Sequence, residues 1–210
     1  MLKRIGSALA LVPLLLASTA PVRAAGAQTY VLDPVHTQIL FFADHLGFSH
    51  GIGRLKVKQG WFQFDNDEWS SARTDVVIDM ASLDMGDQGW TSKVAASAFL
   101  DTGKWPTAHF VGDRFEKKSA TTGILHGQLT MRGIRKSIDL DVVFNREGND
   151  PYAFKTKAGF TATTKLDRFD FGMKSFRDVV AGPVELRIEV EGTRTRHRPE
   201  ESEPDAAEKH

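Results

Sequence analysis

Residues 36–49 read HTQILFFADHLGFS. Ile39, Phe41, Ala43 and His45 share one parity, with polar Thr37 before them and polar Asp44 on the other parity near the end. Successive side chains of a strand point to opposite faces, so this is a β-strand with a mostly apolar face and a histidine at its far end. The same period of two recurs down the chain, and that recurrence decides the fold class.

Leu55 to Phe64 alternates, but its parity slips: Leu55 and Val57 fall on one parity, Phe62 and Phe64 on the other. The glycine at the slip, Gly60, predicts a β-bulge. Val76, Ile78 and Met80 alternate with Val77 and Asp79, and Ala108 to Phe115 reads as a weaker strand. Leu125, Gly127, Leu129 and Met131 alternate with polar residues up to a turn at Gly133. Ile138, Leu140, Val142 and Phe144 oppose Ser137, Asp139 and Asp141, and Gly148-Asn149-Asp150-Pro151 predicts the next turn. Ala158, Phe160, Ala162 and Thr164 follow; then Val184, Leu186, Ile188 and Val190 alternate cleanly with charged residues. One alanine-rich segment, Thr91 to Phe99, predicts a short helix between strands.

No βαβ rhythm is visible, which excludes nucleotide-binding α/β folds. Many antiparallel strands form a sandwich or a barrel. The chain has 14 Phe and 4 Trp but only 2 Tyr. Side chains without hydroxyls suit surfaces that ask for no hydrogen bond, whether an internal cavity or a packed core. In a water-soluble barrel the inward set is the parity that alternates with charge. Here that set is Ile39, Phe41, Phe62, Phe64, Val76, Ile78, Leu129, Met131, Ile138, Leu140, Val142, Phe144, Phe160, Leu186 and Ile188, with His45 as either a satisfied core polar group or a polar contact to a ligand.

The ends of the chain read differently. Lys3 and Arg4, the apolar run Ile5 to Ala17, Pro21 and Val22-Arg23-Ala24 spell a signal peptide over residues 1–24, with cleavage before Ala25 or, as a second site, Gln28. The run is shorter than the roughly 20 residues a bilayer span needs. This predicts a periplasmic or secreted protein whose mature domain runs over 25–192. Residues 193–210 carry no apolar side chain larger than alanine and predict a disordered charged tail. The whole chain has 27 basic and 27 acidic residues; without Lys3, Arg4 and Arg23 it has 24 against 27. That small negative balance argues against nucleic acid as a partner. With no cysteine, thiol catalysis and thiolate metal sites are excluded.

Other chemistry has thin support. His36, His45, His50, His109 and His126 show no H-x-H or H-E-x-x-H spacing, so no metal site is expected. His36 reads as a structural hydrogen-bonding group near a barrel end. Ser49 lies near histidines but in no G-x-S-x-G elbow, so no enzyme is expected. Arg168 and Asp170 read as a structural salt-bridge corner.

Taken in order, YVLDPVHTQILFFADHLGFSHGIGRL (30–55), QGWFQFD (59–65), SLDMGDQGW (82–90), SAFLDTGKWPTAHF (97–110), LHGQLTMRGIRKSIDLDVVF (125–144) and GFTATTKLDRFDFGM (159–173) resemble the YceI-like polyisoprenoid-binding family over about residues 29–192. The resemblance implies an eight-stranded, antiparallel, lipocalin-like barrel around an apolar tunnel. It further implies an extended lipid ligand, such as a polyisoprenoid, an isoprenoid quinone or a fatty amide, with no other cofactor, and a homodimer. The chain departs from the family pattern in the helix, which reads Trp90 to Ser97 where Arg-Asp and Leu-Arg-Ser are usual, and at Arg132, where histidine is usual. The expected role is binding, sequestration or transport of that lipid, with an enzyme or stress-response factor acting on it as the alternative. A third possibility, an outer-membrane barrel, conflicts with the charged residues opposite each apolar ladder.

Overall fold

The structure is a computed structural model and describes residues 26–197 and Pro199. The expected signal peptide and most of the expected tail lie outside the described residues.

Among the described residues the strands are β1 (Gln28–Leu32), β2 (Gln38–His45), β3 (Ser49–Phe64), β4 (Arg73–Asp84), β5 (Thr107–Lys117), β6 (Thr122–Met131), β7 (Ile134–Asp150), β8 (Lys155–Asp167) and β9 (Val180–Thr195), with one α-helix, α1 (Gln88–Ala95). They form a single antiparallel sheet in the order β1-β3-β2-β9-β8-β7-β6-β5-β4, and a β3–β4 pairing closes it into a barrel. β1 and β2 both lie between β3 and β9: Tyr30 faces Phe62 and Arg194, and Ile39 faces Leu55 and Ile188. They are two halves of one interrupted strand, so the ring counts eight, as the sequence patterning predicts. The interruption has a local cause. Pro34 offers no amide donor, and Asp33 folds the chain over itself: its Oδ1 accepts from Val35 N at 2.9 Å and its carbonyl from Thr37 N at 2.8 Å. Periodicity alone did not announce β1.

Bulges decide which residues reach the interior. Between β3 and β4 the pairing shifts from Val57–Ile78 to Gln59–Val77, so the extra residue is Lys58, two before the glycine expected to mark it. One inserted residue turns the parity over, and both Leu55 and Phe62 therefore point inward. Gly60 serves close approach instead: a Cβ there would lie 2.8 Å from the Asp75 carbonyl oxygen and 2.8 Å from Leu32 Cδ1.

Four boundaries differ from the sequence expectation. The helix starts at Gln88 rather than Thr91, because Asp87 caps it by accepting from Trp90 N at 2.8 Å, and it ends at Ala95 where Ala96 turns extended. β7 runs on through Gly148 and Asn149 to an Asp150–Lys155 pair, so the turn is residues 151–154. β9 continues past Gly192 to Thr195, because β1 supplies partners for Thr193, Arg194 and Thr195. Arg168 and Asp170 form no corner with each other: Asp170 meets Lys136 at 3.8 Å, and Arg168 turns inward to backbone carbonyls. The turn at Gly133 is where it was expected, with Arg132 and Gly133 both in the left-handed region.

Candidate functional site

The inward ladders of β2 and β9 meet in register, Ile39 against Ile188 and Phe41 against Leu186. Leu125 faces Leu140 across β6 and β7, and Val142 faces Ala162 across β7 and β8. Together with their counterparts on β3 to β5 these side chains enclose an interior cavity of about 750 Å³. Ile39, Phe41, His45, Phe62, Phe64, Val76, Ile78, Leu129, Met131, Ile138, Leu140, Val142, Phe160, Leu186 and Ile188 are all on its wall. Phe144, the remaining member of the sequence-derived set, is not: it lies beyond the wall, packed on Phe64 and Phe160 at centroid distances of 5.2 and 5.4 Å.

One end of the barrel is shut by aromatic rings. A 3₁₀ turn, Trp69–Ser71, tucks Trp69 under the barrel, where it is only 1% exposed. Its ring meets Phe64 at 5.4 Å, Phe115 at 5.0 Å and Phe144 at 6.2 Å. Its Nε1 donates to the Asn66 carbonyl at 3.0 Å. Phe64, Phe115 and Phe160 line the cavity while Trp69 and Phe144 do not, so the first three form a floor and the other two back it. Beside them Tyr30 stacks on Phe62 at 4.9 Å and donates its hydroxyl to Glu147 Oε1 at 2.7 Å.

The other end is the mouth. Trp90 and Phe176 on its rim are 42% and 59% exposed. Trp90 lies 6.0 Å from the His45 ring on one side, and Phe99 stacks on Phe176 at 5.7 Å on the other. Lys93 and Asp44 also border it. His45 is half-buried at this rim, and among the described residues its ring has no hydrogen-bond partner. Inside, Gly53 makes room for Phe41: any Cβ there would collide with the Phe41 ring and lie 2.7 Å from Met85 Sδ.

The lip carrying Phe176 is held by Arg168, which is buried. Its Nε donates to the Ala181 carbonyl at 3.0 Å and its Nη2 to those of Ser175 and Val180 at 2.9 and 2.8 Å. Nη1 donates to the Met173 carbonyl.

Three histidines off the cavity wall pair with carboxylates. His109 Nε2 meets Asp75 Oδ1 at 2.9 Å, and His126 Nδ1 meets Asp139 Oδ1 at 2.6 Å. His36 Nδ1 lies 2.7 Å from Asp33 Oδ2, the structural hydrogen bond expected of it. Asp33, His36 and Glu191 offer ligand atoms within 4.8 Å of one another. That cluster already holds a cation: Lys157 Nζ lies 2.5 Å from Glu191, 3.0 Å from Asp150 and 4.0 Å from Asp33. Hydrogen bonds to Glu191 and Asp150 raise the Lys157 pKa, and the Lys157 contact holds Asp150 down at about 2.

The sequence matches the YceI-like domain pattern over residues 30–192. The chain belongs to the YceI-like domain family. It is 33% identical over 173 residues to a UPF0312 protein of Shewanella baltica, covering 81% of this chain and 90% of the relative. Among solved structures, a YceI protein of Campylobacter jejuni superposes with a TM-score of 0.63 at 26% identity, over 73% of this chain and 90% of that one. BcnA of Burkholderia cenocepacia gives 0.69 at 19% identity, over 76% and 98%. A polyisoprenoid-binding domain from Saccharophagus degradans, implicated in plant cell wall breakdown, gives 0.59 at 12% identity, over 80% and 99%; the last two share the fold.

Several cavity residues escaped the sequence reading. Phe110 and Phe115 both line the wall although their parities differ. A second bulge explains them, since the β5–β6 pairing shifts between Gly112 and Arg114 and inserts Asp113. The paired signal, a glycine beside a parity slip, was the same one that marked β3. Trp90, Phe99 and Phe176 belong to non-strand segments, where period two carries no information.

Proposed function

We propose that this protein binds a hydrophobic, chain-like lipid inside its barrel, such as a polyisoprenoid, an isoprenoid quinone or a fatty amide, and sequesters or carries it in the periplasm. The observation that supports this best is the cavity: about 750 Å³, walled by aliphatic and phenylalanine side chains and open at one rim. Each buried CH₂ contributes about 0.8 kcal/mol, so a long tail is held without polar contacts even after association costs. The outward positions opposite the wall, Asp139, Asp141, Glu185 and Arg187, are charged, which suits a barrel in water rather than one in lipid. Among the described residues no helix is long and apolar enough to cross a membrane. The periplasmic assignment rests on the leader read in residues 1–24. The enzyme alternative has less support, because Ser49 is exposed and no carboxylate orients the His45 ring among the described residues.

Leu140 lines the cavity and Asp141 next to it faces out. Leu140→Glu places a carboxylate on the wall, which lipid entry must desolvate. Displacement of a fluorescent lipid should weaken by more than tenfold, a loss above about 1.4 kcal/mol, while Asp141→Lys binds as the wild type does. A wild type that binds no lipid, with Leu140→Glu unfolded, returns the molecule to a barrel with an ordinary phenylalanine core. Native mass spectrometry of protein from its own host identifies the cargo.

A further inference from the structure

We infer that the barrel is a blind-ended ruler: the lipid enters tail first, and the Phe64–Phe115–Phe160 floor, backed by Trp69 and Phe144, sets the longest tail it holds. This rests on the lipid-binding reading above and adds orientation and a length limit to it.

Orientation follows from where polar atoms remain free. Beside the floor the polar side chains on the cavity wall are engaged elsewhere: Thr74 Oγ1 donates to the Trp61 carbonyl at 2.8 Å, Gln63 Nε2 to Thr29 Oγ1 at 3.1 Å, and Arg73 Nη1 to the Ser70 and Ala72 carbonyls at 3.0 and 2.6 Å. Behind the floor Trp69 Nε1 donates to the Asn66 carbonyl and the Tyr30 hydroxyl to Glu147. A polar headgroup placed there would lose its water and gain no partner. At the mouth, Lys93, Asp44 and the His45 ring border the opening beside the half-exposed Trp90. A headgroup there keeps contact with water and with these groups.

The length limit follows from how the floor is built. Phe64 meets Phe160 at 5.0 Å in T-shaped geometry, Phe115 is linked to them through the Trp69 ring that meets both Phe64 and Phe115, and all three floor rings are buried. Trp69 presses on Phe64 and Phe115 from below, and Lys117 Nζ lies 4.9 Å over the Trp69 ring from outside. A tail that reaches this layer cannot displace one ring without moving the others, because packed interiors do not deform continuously. Ala72 lines the cavity directly after the turn that carries Trp69, so the floor is small-sided at that one place.

The test uses saturated straight-chain fatty acids, from octanoic to tetracosanoic, displacing a fluorescent lipid from the purified mature protein. In the wild type, affinity should climb about fourfold per methylene and then stop climbing at one chain length. Phe144→Ala removes support beneath the floor and should move that break to longer chains or abolish it. Ala72→Leu raises the floor and should move it to shorter chains, and it tests the inference even if Phe144→Ala does not fold. Affinity that never levels off, or a break that stays put in a cooperatively melting Ala72→Leu variant, overturns the ruler while leaving lipid binding intact. If no fatty acid of the series binds the wild type, the lipid-binding reading falls and the ruler falls with it.

Discussion

Arg168 shows how one side chain can hold the edge of a cavity. A buried guanidinium ordinarily calls for a carboxylate. Here no acidic side chain hydrogen-bonds it among the described residues; its donors go to the carbonyls of Met173, Ser175, Val180 and Ala181, and Phe169 lies under it at 4.5 Å. Those carbonyls belong to the chain that forms the lip of the mouth, so the charge is matched by aligned backbone dipoles. A planar fork with five donors can do this, and a lysine with one nitrogen cannot. Arg168→Lys should therefore leave buried carbonyls unpaired, at about 1–3 kcal/mol each. Its melting temperature should fall by several degrees, and bound lipid should leave faster as Phe176 loses its support. A variant that melts with the wild type would show that the lip is held by the Phe99–Phe176 stack alone. The sequence suggested a salt bridge from Arg168 to Asp170. Carbonyl acceptors come from every residue type, so nothing in the neighbouring letters could have named them.

Strands, bulges and caps differ in how openly they are written. The walls of the barrel were legible because each needs only alternation, and all but Phe144 of the inward set lie on the cavity. The slip in β3 was legible too, since Gly60 stands beside it. The slip in β5 was not read, although Gly112 stands directly before the inserted Asp113, nearer than Gly60 stands to Lys58, and with it went Phe110 and the floor residue Phe115. Phe144 was misplaced for a related reason: parity says that a residue points inward but not at what depth, and Phe144 is near the shut end. The mouth was least legible, because α1 and the lip are short and take their positions from long-range contacts. α1 has one local determinant, the Asp87 cap. Asp87→Ala should cost about 1 kcal/mol and speed amide exchange across residues 88–95 while leaving the strands protected. Unchanged exchange there would mean that packing of Val94 and Trp90 on the barrel, not the cap, fixes the helix.

The ring of the barrel as a whole is interrupted between β1 and β2, and charge bridges the gap. Asp33 and His36 sit in the interruption, Glu191 on β9, and Lys157 and Asp150 on either side of the β7–β8 turn. This joins three parts of the ring through one ammonium group, so pH should act on closure. Asp150 is held at about 2 from an ordinary 3.8, chiefly by Lys157. A depressed carboxylate contributes stability that is present above its unfolded value and lost as pH falls through the folded one, here between about 4 and 2. His36 is raised above its ordinary 6.5, first by the hydrogen bond to Asp33. Its contribution is complete below 6.5 and fades as pH rises through the folded value. Tyr30 is pushed above its ordinary 10.0 by burial and then by Glu147, so its contribution is lost as pH climbs beyond 10. Melting temperature should therefore be highest between about pH 4 and pH 6.5, decline gently above that range, and fall steeply at both extremes. Lys157→Met should depress the whole profile and flatten its acid limb, because Asp150 then titrates near its ordinary value. Tyr30→Phe should flatten the alkaline limb only. An acid limb unchanged by Lys157→Met would assign acid unfolding to other carboxylates and leave β1 held by the Tyr30–Phe62 stack and its backbone pairing alone.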